Sequence, residues 1–185
     1  LERLMRRSRI KAKLAKNEPE LVTTVSLSDP SLFELTSLMG YDGIWFDLEH
    51  HAHSVESAND FIRAARVGVS DIIARPAKGE FMRLARLLEA GARGIMYPRC
   101  DDAEEAAEVV RWSKFAPLGT RGVDGANPDQ PYCSMSAAEY VVAAARPPTS
   151  PLNVRSRPCR SAATASSIAS ASRPSSPPAR PRPTV

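Results

Sequence analysis

The segment Ile44-Trp45-Phe46-Asp47-Leu48-Glu49-His50 holds the residues of this chain best placed to do chemistry. An apolar run closes on two carboxylates and an imidazole. Asp47 and Glu49 are two apart, so on a strand both point to one face. His50 follows where the strand gives way to a loop. In parallel α/β folds the carboxyl ends of strands are where ligands bind and chemistry happens. Two acids and a base at such an edge suggest a polar site, with room for a metal ion. The alternative is a capped strand end with solvated charges. His51 and His53 extend the cluster with His-x-His spacing. They read as loop residues, with ligands of a barrel metal hydrolase as the competing reading.

The elements that must position these residues alternate regularly. Residues 3–16 read as a short basic helix within a lead-in over 1–19. Residues 21–27 are β-rich, and Ser28-Asp29-Pro30 is a helix start with proline at an early helical position. Leu32, Phe33, Leu35, Leu38 and Met39 form an apolar stripe ended by Gly40. Residues 43–48 predict a second strand, and Ser54 caps a helix running to Val67, stopped by Gly68. Residues 71–74 predict a third strand, 80–90 a helix closed by Gly91, and 94–97 a fourth strand. Asp102 caps a helix over 103–115. Strand and helix thus alternate four times, roughly every 25 residues, which argues for a parallel sheet with right-handed crossovers. Four units suit half of a (β/α)₈ barrel or a small doubly wound sheet; a full barrel takes ~250 residues. Residues 117–132 form a loop rich in glycine and proline but without a P-loop lysine pattern, either a surface loop or a lid. Residues 136–145 return to helix.

Composition then changes. Residues 146–185 hold nine Pro, nine Ser and seven Arg with no acid and no glycine. Such a segment buries too little apolar surface to offset its ordering entropy, so it is expected to be a disordered Pro/Ser/Arg-rich tail. The formal charge of the whole chain is +4. Leaving out the tail's seven arginines puts 18 basic residues against 21 acids, about −3 for residues 1–145. The basic balance therefore belongs to the tail and does not argue for a nucleic-acid partner. Cys100, Cys133 and Cys159 make no zinc pattern and no disulfide framework, which fits a reduced, cytoplasmic protein, and Cys100 and Cys133 read as packing residues. No apolar run approaches the ~18–20 residues of a membrane span. The N-terminus lacks both the apolar core of a signal peptide and an initiator Met, so the start is expected to be incomplete.

Five motifs in order carry a resemblance. They are Gly40-Tyr41-Asp42-Gly43, Phe46-Asp47-Leu48-Glu49-His50, Ala74-Arg75-Pro76, Glu89-Ala90-Gly91-Ala92-Arg93-Gly94-Ile95-Met96-Tyr97-Pro98 and Pro117-Leu118-Gly119-Thr120-Arg121-Gly122. Over residues 20–145 the chain resembles the HpcH/HpaI aldolase family, also called citrate lyase β-like. The resemblance implies a (β/α)₈ barrel, often hexameric, that cleaves 2-keto-4-hydroxy acids to pyruvate and an aldehyde with a divalent cation, Mg²⁺, Mn²⁺ or Co²⁺. It implies His50 as catalytic base working with Asp47 through water, Arg75 as binder of the pyruvate keto oxygen, and Glu49 beside the metal's water shell. A guanidinium beside a developing enolate supplies preorganised electrostatic stabilisation, and an imidazole suits the proton transfer. Arg75 could instead pair with Asp47 or Glu49 as a structural ion pair, and Arg99 and Arg121 are placed to reach the pocket or a neighbouring subunit.

One departure stands out. The family's metal ligands, a Glu and an Asp on the fifth and sixth strands, would lie beyond Ala145, where this chain has no acid. A frameshift or gene-model error would give that pattern. The chain as written is expected to be a truncated, impaired carbon–carbon lyase. The competing readings are a half-barrel without catalysis that self-associates, its Arg-rich tail binding nucleic acid or anionic surfaces, and the His51/His53 hydrolase.

Overall fold

The computed structural model describes residues 5–145; the tail expected over 146–185, and Cys159 within it, lie outside the described residues. Four parallel strands, β1 (Val22–Thr24), β2 (Gly43–Asp47), β3 (Asp71–Arg75) and β4 (Gly94–Ile95), form one sheet in the order β1-β2-β3-β4. Helices α2 (Pro30–Leu38), α3 (Val55–Ala64), α4 (Phe81–Ala90) and α5 (Ala103–Ser113) follow the strands in turn, after a short α1 (Arg9–Leu14). Successive helices pack on one another, α2 on α3, α3 on α4 and α4 on α5. A doubly wound sheet reverses its strand order and places helices on both faces. An unreversed order with a single helical layer is the wall of a (β/α)₈ barrel, here its N-terminal half. Among the described residues β1 and β4 each leave one edge unpaired.

The caps explain where the helices begin. Asp29 accepts the Ser31 N–H with Pro30 in the first turn, Ser54 and Ser57 cap α3 reciprocally, and Asp102 accepts the Glu105 N–H. Each satisfies backbone donors that a helix start leaves open. Gly91 ends α4 at φ 109°, a left-handed conformation that side chains disfavour. Register pairs Ile44 with Ile72 and Phe46 with Ala74, and these four face the helices. Phe33 stacks on Phe61 at 4.6 Å, and Phe46 meets both edge-on. The alternate residues Trp45 and Ile73 face the barrel interior and are half-buried.

Some elements are shorter than expected. β1 stops at Thr24, although Val25 still packs on the core, and β4 is two residues long. The expected N-terminal helix is confined to Arg9–Leu14 because the residues before it serve another purpose. Arg6 donates to the carbonyls of Ala65, Gly68 and Ser70, and Asp71 accepts from the Ser8 hydroxyl and the Ile10 N–H. Arg9 and Lys13 bind Asp42 at 2.5 and 2.7 Å. The Leu21 N–H, followed by Lys13, holds the Asp42 carboxyl down to about 2, against the opposing effect of burial. The basic lead-in thus neutralises carboxylates at the N-terminal edge of the sheet, the edge opposite the chemical cluster.

The expectation for the cysteines needs correction. Cys100 and Cys133 are exposed rather than packed. Cys100 follows Arg99, whose φ is 47°, and Cys133 itself has φ 62°.

The loop after α5 is anchored from within. Asp129 pairs with Arg93 at 2.9 Å and accepts the Tyr140 hydroxyl at 2.5 Å, and Arg121 donates to that hydroxyl at 3.0 Å. Phe115, Met135 and Tyr140 form a small second core with helix α6 (Ala137–Ala145). Gly119 must be glycine here, since a Cβ would lie 2.3 Å from the carbonyl oxygens of Arg111 and Lys114. Among the described residues no helix is long and apolar enough to cross a membrane.

Candidate active site

The carboxyl edge of the sheet brings the expected residues together, and the register says how. Asp47 ends β2 and pairs in register with Arg75, the last residue of β3. Arg75 grips Asp47 through two atoms, Nε to Oδ1 at 2.9 Å and Nη2 to Oδ2 at 2.5 Å. This two-point fork fixes the guanidinium plane as a single contact could not. The Trp45 ring supports the guanidinium from below, 4.7 Å from its centroid. Among the described residues the Nη1 edge of Arg75 has no protein acceptor.

Asp47 also stops the strand. Its Oδ1 accepts the backbone N–H of Glu49 at 2.9 Å and of His50 at 3.4 Å, folding the chain back over the carboxylate. The Arg75 hydrogen bond, opposed by burial and helped by those two amides, holds Asp47 down to about 2. Asp47 is therefore a permanent anion that orients its neighbours and does not itself exchange protons near neutral pH. The same pairing raises the Arg75 guanidinium further above its ordinary value.

Glu49 lies one turn past the strand, yet it still faces the same guanidinium, 3.4 Å from Arg75 Nε. Its other oxygen accepts from Arg99 Nη2 at 2.8 Å. His50 Nε2 is 3.7 Å from Glu49, and this imidazole is 68% exposed. The imidazole that approaches Asp47 is that of His51, at 3.9 Å. His53 faces away from the edge. Its ring packs on Phe46 and Phe61, its Nδ1 lies 3.4 Å from the Ser28 hydroxyl, and burial lowers its proton affinity. His51 and His53 have ring centroids 5.9 Å apart. Among the described residues no group of three His, Cys, Asp or Glu is set to hold a metal. Asp47 and Glu49 are each engaged by arginine, which disfavours direct coordination of a cation by either.

Trp45 was not legible as a contributor, and Arg99 was legible only as a residue reaching either the pocket or a neighbouring subunit. Trp45 looks like any apolar strand residue, and only the sheet register places it under Arg75. Arg99 comes from the loop after β4, 50 positions from Glu49 in the chain. Its place in a Pro-Arg turn at a strand end was the only local signal. Arg121 does not reach the site; it is buried in the Asp129–Tyr140 network at the other end of the domain.

A parallel βα wall with an Arg–carboxylate fork and histidines at its carboxyl edge forms a polar cluster where folds of this kind place their ligand sites. Residues 21–154 match the model of the HpcH/HpaI aldolase/citrate lyase family, and the chain belongs to that family. It is 31% identical over 116 residues to a hydroxypyruvate/pyruvate aldolase of Paraburkholderia phytofirmans, covering 63% of this chain and 43% of the relative. It is 29% identical over 110 residues to a 2-keto-3-deoxy-L-rhamnonate aldolase of Klebsiella pneumoniae, covering 60% and 41%. The solved HpcH/HpaI aldolase of Desulfitobacterium hafniense superposes with a TM-score of 0.68 at 29% identity, over 73% of this chain and 52% of that one. The chain thus spans less than half the length of these two curated relatives.

Proposed function

We propose that residues 20–145 carry the keto-acid half of an aldolase active site, which cleaves 2-keto-4-hydroxy acids to pyruvate and an aldehyde. The observation that carries this reading is the Asp47–Arg75 fork at the carboxyl edge, with Nη1 of Arg75 unengaged among the described residues. Arg75 presents a fixed positive charge where the keto oxygen of pyruvate becomes an enolate oxygen, and needs no reorganisation as that charge develops. Asp47 sets the plane of Arg75 and, through the Glu49 and His50 amides, the start of the histidine-bearing turn. His50, exposed beside Glu49, takes the proton of the C4 hydroxyl as the C3–C4 bond breaks. Glu49 orients that imidazole and faces the water shell of the divalent cation, which supplies Lewis acidity when bound. The direct ligands of that cation are to be sought outside residues 5–145. The open edges of β1 and β4 fit continuation of the sheet by further strands of the barrel, and assembly into a homo-oligomer such as a hexamer belongs to the same proposal.

The test is a titration of the purified chain with pyruvate, followed by the fluorescence of Trp45 beneath Arg75. Saturable quenching that disappears in Arg75→Gln is expected. No binding in the parent chain refutes the reading. The chain as written is expected to bind without turning over, and metal-dependent pyruvate release at ordinary aldolase rates would overturn that expectation. If a restored full-length barrel is active, His50→Gln should abolish proton transfer and His51→Gln should leave most of it. The reverse result assigns the base to His51, the imidazole nearer Asp47.

A further inference from the structure

Three arginines line one narrow cleft at the amino edge of the sheet, the edge opposite the chemical cluster. Arg6 comes from the lead-in, Arg66 from the 3₁₀ turn that follows α3, and Arg93 from the residue before β4. Their charges are poorly matched by acids. Arg6 spends its donors on three backbone carbonyls, and Arg66 Nη2 donates to a fourth, that of Pro128, at 3.0 Å. Arg93 pairs with Asp129, but that carboxylate also takes the Tyr140 hydroxyl and lies 3.6 Å from Arg121. Among the described residues no carboxylate lies within ion-pairing distance of Arg6 or Arg66. A carbonyl satisfies an N–H donor but leaves the charge uncompensated, which is costly where water is excluded. Burial lowers the proton affinity of Arg66, and Arg93 lowers it further. For Arg6 burial again leads, opposed by Asp71 and reinforced by Arg93.

Asp71 gives the same cleft a second property. It is 1% exposed and lines the wall beside the arginines. Its Oδ2 accepts from the Ser8 hydroxyl at 2.7 Å and from the Ile10 N–H at 2.9 Å. Its Oδ1 is buried and has no hydrogen-bond partner among the described residues. A buried acceptor left without a donor costs free energy. The cleft therefore suits a ligand that accepts from guanidiniums and also donates to a carboxylate. Hydrogen phosphate does both: its oxygens match the fork of a guanidinium, and it keeps one O–H. Sulfate has the same shape and charge but no O–H at neutral pH. A phosphate monoester, with a second pKa of about 6, has mostly lost its O–H there as well. The wall that yields to a tetrahedral anion is Arg66, whose long stem crosses Gly91. A Cβ at that glycine would lie 2.3 Å from Arg66 Nη2, so glycine is what lets the guanidinium lie against the chain.

We propose that this cleft is a site for inorganic phosphate: Arg6, Arg66 and Arg93 donate to the oxygens of the anion, and Asp71 Oδ1 accepts the hydrogen bond of its O–H. The bound anion ties the lead-in, the end of α3 and the start of β4 to one another, and so stabilises the amino edge of the sheet in proportion to its concentration. The inference does not depend on the keto-acid reading of the carboxyl edge.

The test is calorimetric titration of the full 185-residue chain with phosphate, sulfate and methyl phosphate, slightly above neutral pH and at matched ionic strength. Phosphate is expected to bind about tenfold tighter than either of the others, the size of one charge-assisted hydrogen bond. Arg66→Gln should weaken phosphate about tenfold, and Arg66→Lys less. In Asp71→Asn the preference for phosphate over sulfate should fall to near one. That ratio is taken within the variant, so a loss of stability does not move it. Equal binding of phosphate and sulfate by the parent chain reduces the cleft to a nonspecific cationic patch and overturns the proposal. So does a preference that persists in Asp71→Asn, or the absence of saturation at millimolar phosphate. An affinity that drops in Arg75→Gln but holds in Arg66→Gln puts the anion at the carboxyl edge and overturns it too.

Discussion

Replacing Asp47 by asparagine isolates the interaction on which the site is built. The amide has the shape of the carboxylate but can face Arg75 with only one acceptor. If its oxygen stays on Nε and on the Glu49 N–H, its NH₂ group meets Nη2, which sits 2.5 Å away as a donor. One charge-assisted hydrogen bond, about 1.5–3 kcal/mol, becomes a repulsion, and the second, still donated by the charged guanidinium, weakens because its acceptor has lost its charge. Part returns as Arg75 shifts towards Glu49, already 3.4 Å from Nε. A net loss of about 2 kcal/mol is expected, or roughly 4–8 °C in Tm for a chain of this size. The assay is urea unfolding of wild type, Asp47→Asn, Arg75→Gln and the double variant, which isolates the coupling energy. Its pH dependence is fixed by the depressed carboxyl. Asp47 is held to about 2 when folded against 3.8 in its ordinary state. The contribution is complete above about pH 4 and is lost as pH falls towards 2, roughly half of it by pH 3. A coupling below about 0.5 kcal/mol at pH 7, or one unchanged between pH 6 and pH 3, would refute the claim that the fork holds Arg75.

Asp42→Asn should cost about 2 kcal/mol by loosening α1 from the sheet, since Arg9, Lys13 and the Leu21 N–H all converge on that carboxylate; amide exchange of residues 9–14 should rise while that of β3 holds. Gly119→Ala is expected to destabilise the chain by about 2–4 kcal/mol, because its new Cβ meets two backbone carbonyls rather than a movable side chain; an unchanged midpoint in urea would contradict the close approach. Tyr140, buried against Asp129, has its phenol pushed well above the usual value by desolvation and then by that carboxylate. Ultraviolet titration should find it still protonated at pH 11 in the folded protein. Because folding favours the protonated form, its stability contribution is present below about pH 10 and declines as pH rises beyond it.

The local rules account for much of the wall. Capping residues at Asp29, Ser54 and Asp102 stand where the helices begin, and Gly91 stands where α4 ends, because caps act over three or four residues of contiguous chain. Strand extents were read less well. β1 and β4 are short because their lengths depend on neighbours and not on their own β-rich composition. The cysteines misled for a related reason: a small apolar residue type says nothing of whether a loop brings it to the core.

At the site, the sequence by itself determined the chemical inventory and the edge on which it sits. Two acids, three histidines and an arginine before proline fall at strand ends, and the ordered motifs carry the family. Tertiary structure decided the partnerships. Register between β2 and β3 put Arg75 in a fork with Asp47 and over Trp45, and so turned an open choice between ion pair and electrophile into a guanidinium with one edge engaged and another unengaged. The loop after β4 carried Arg99 to a carboxylate 50 residues away. It was the turn made by Asp47 that set His50 beside Glu49 and His51 beside Asp47. Periodicity encodes which face of its own element a residue occupies. It does not encode the register of the next strand or the left-handed backbone of a loop, and those two quantities set which charges meet.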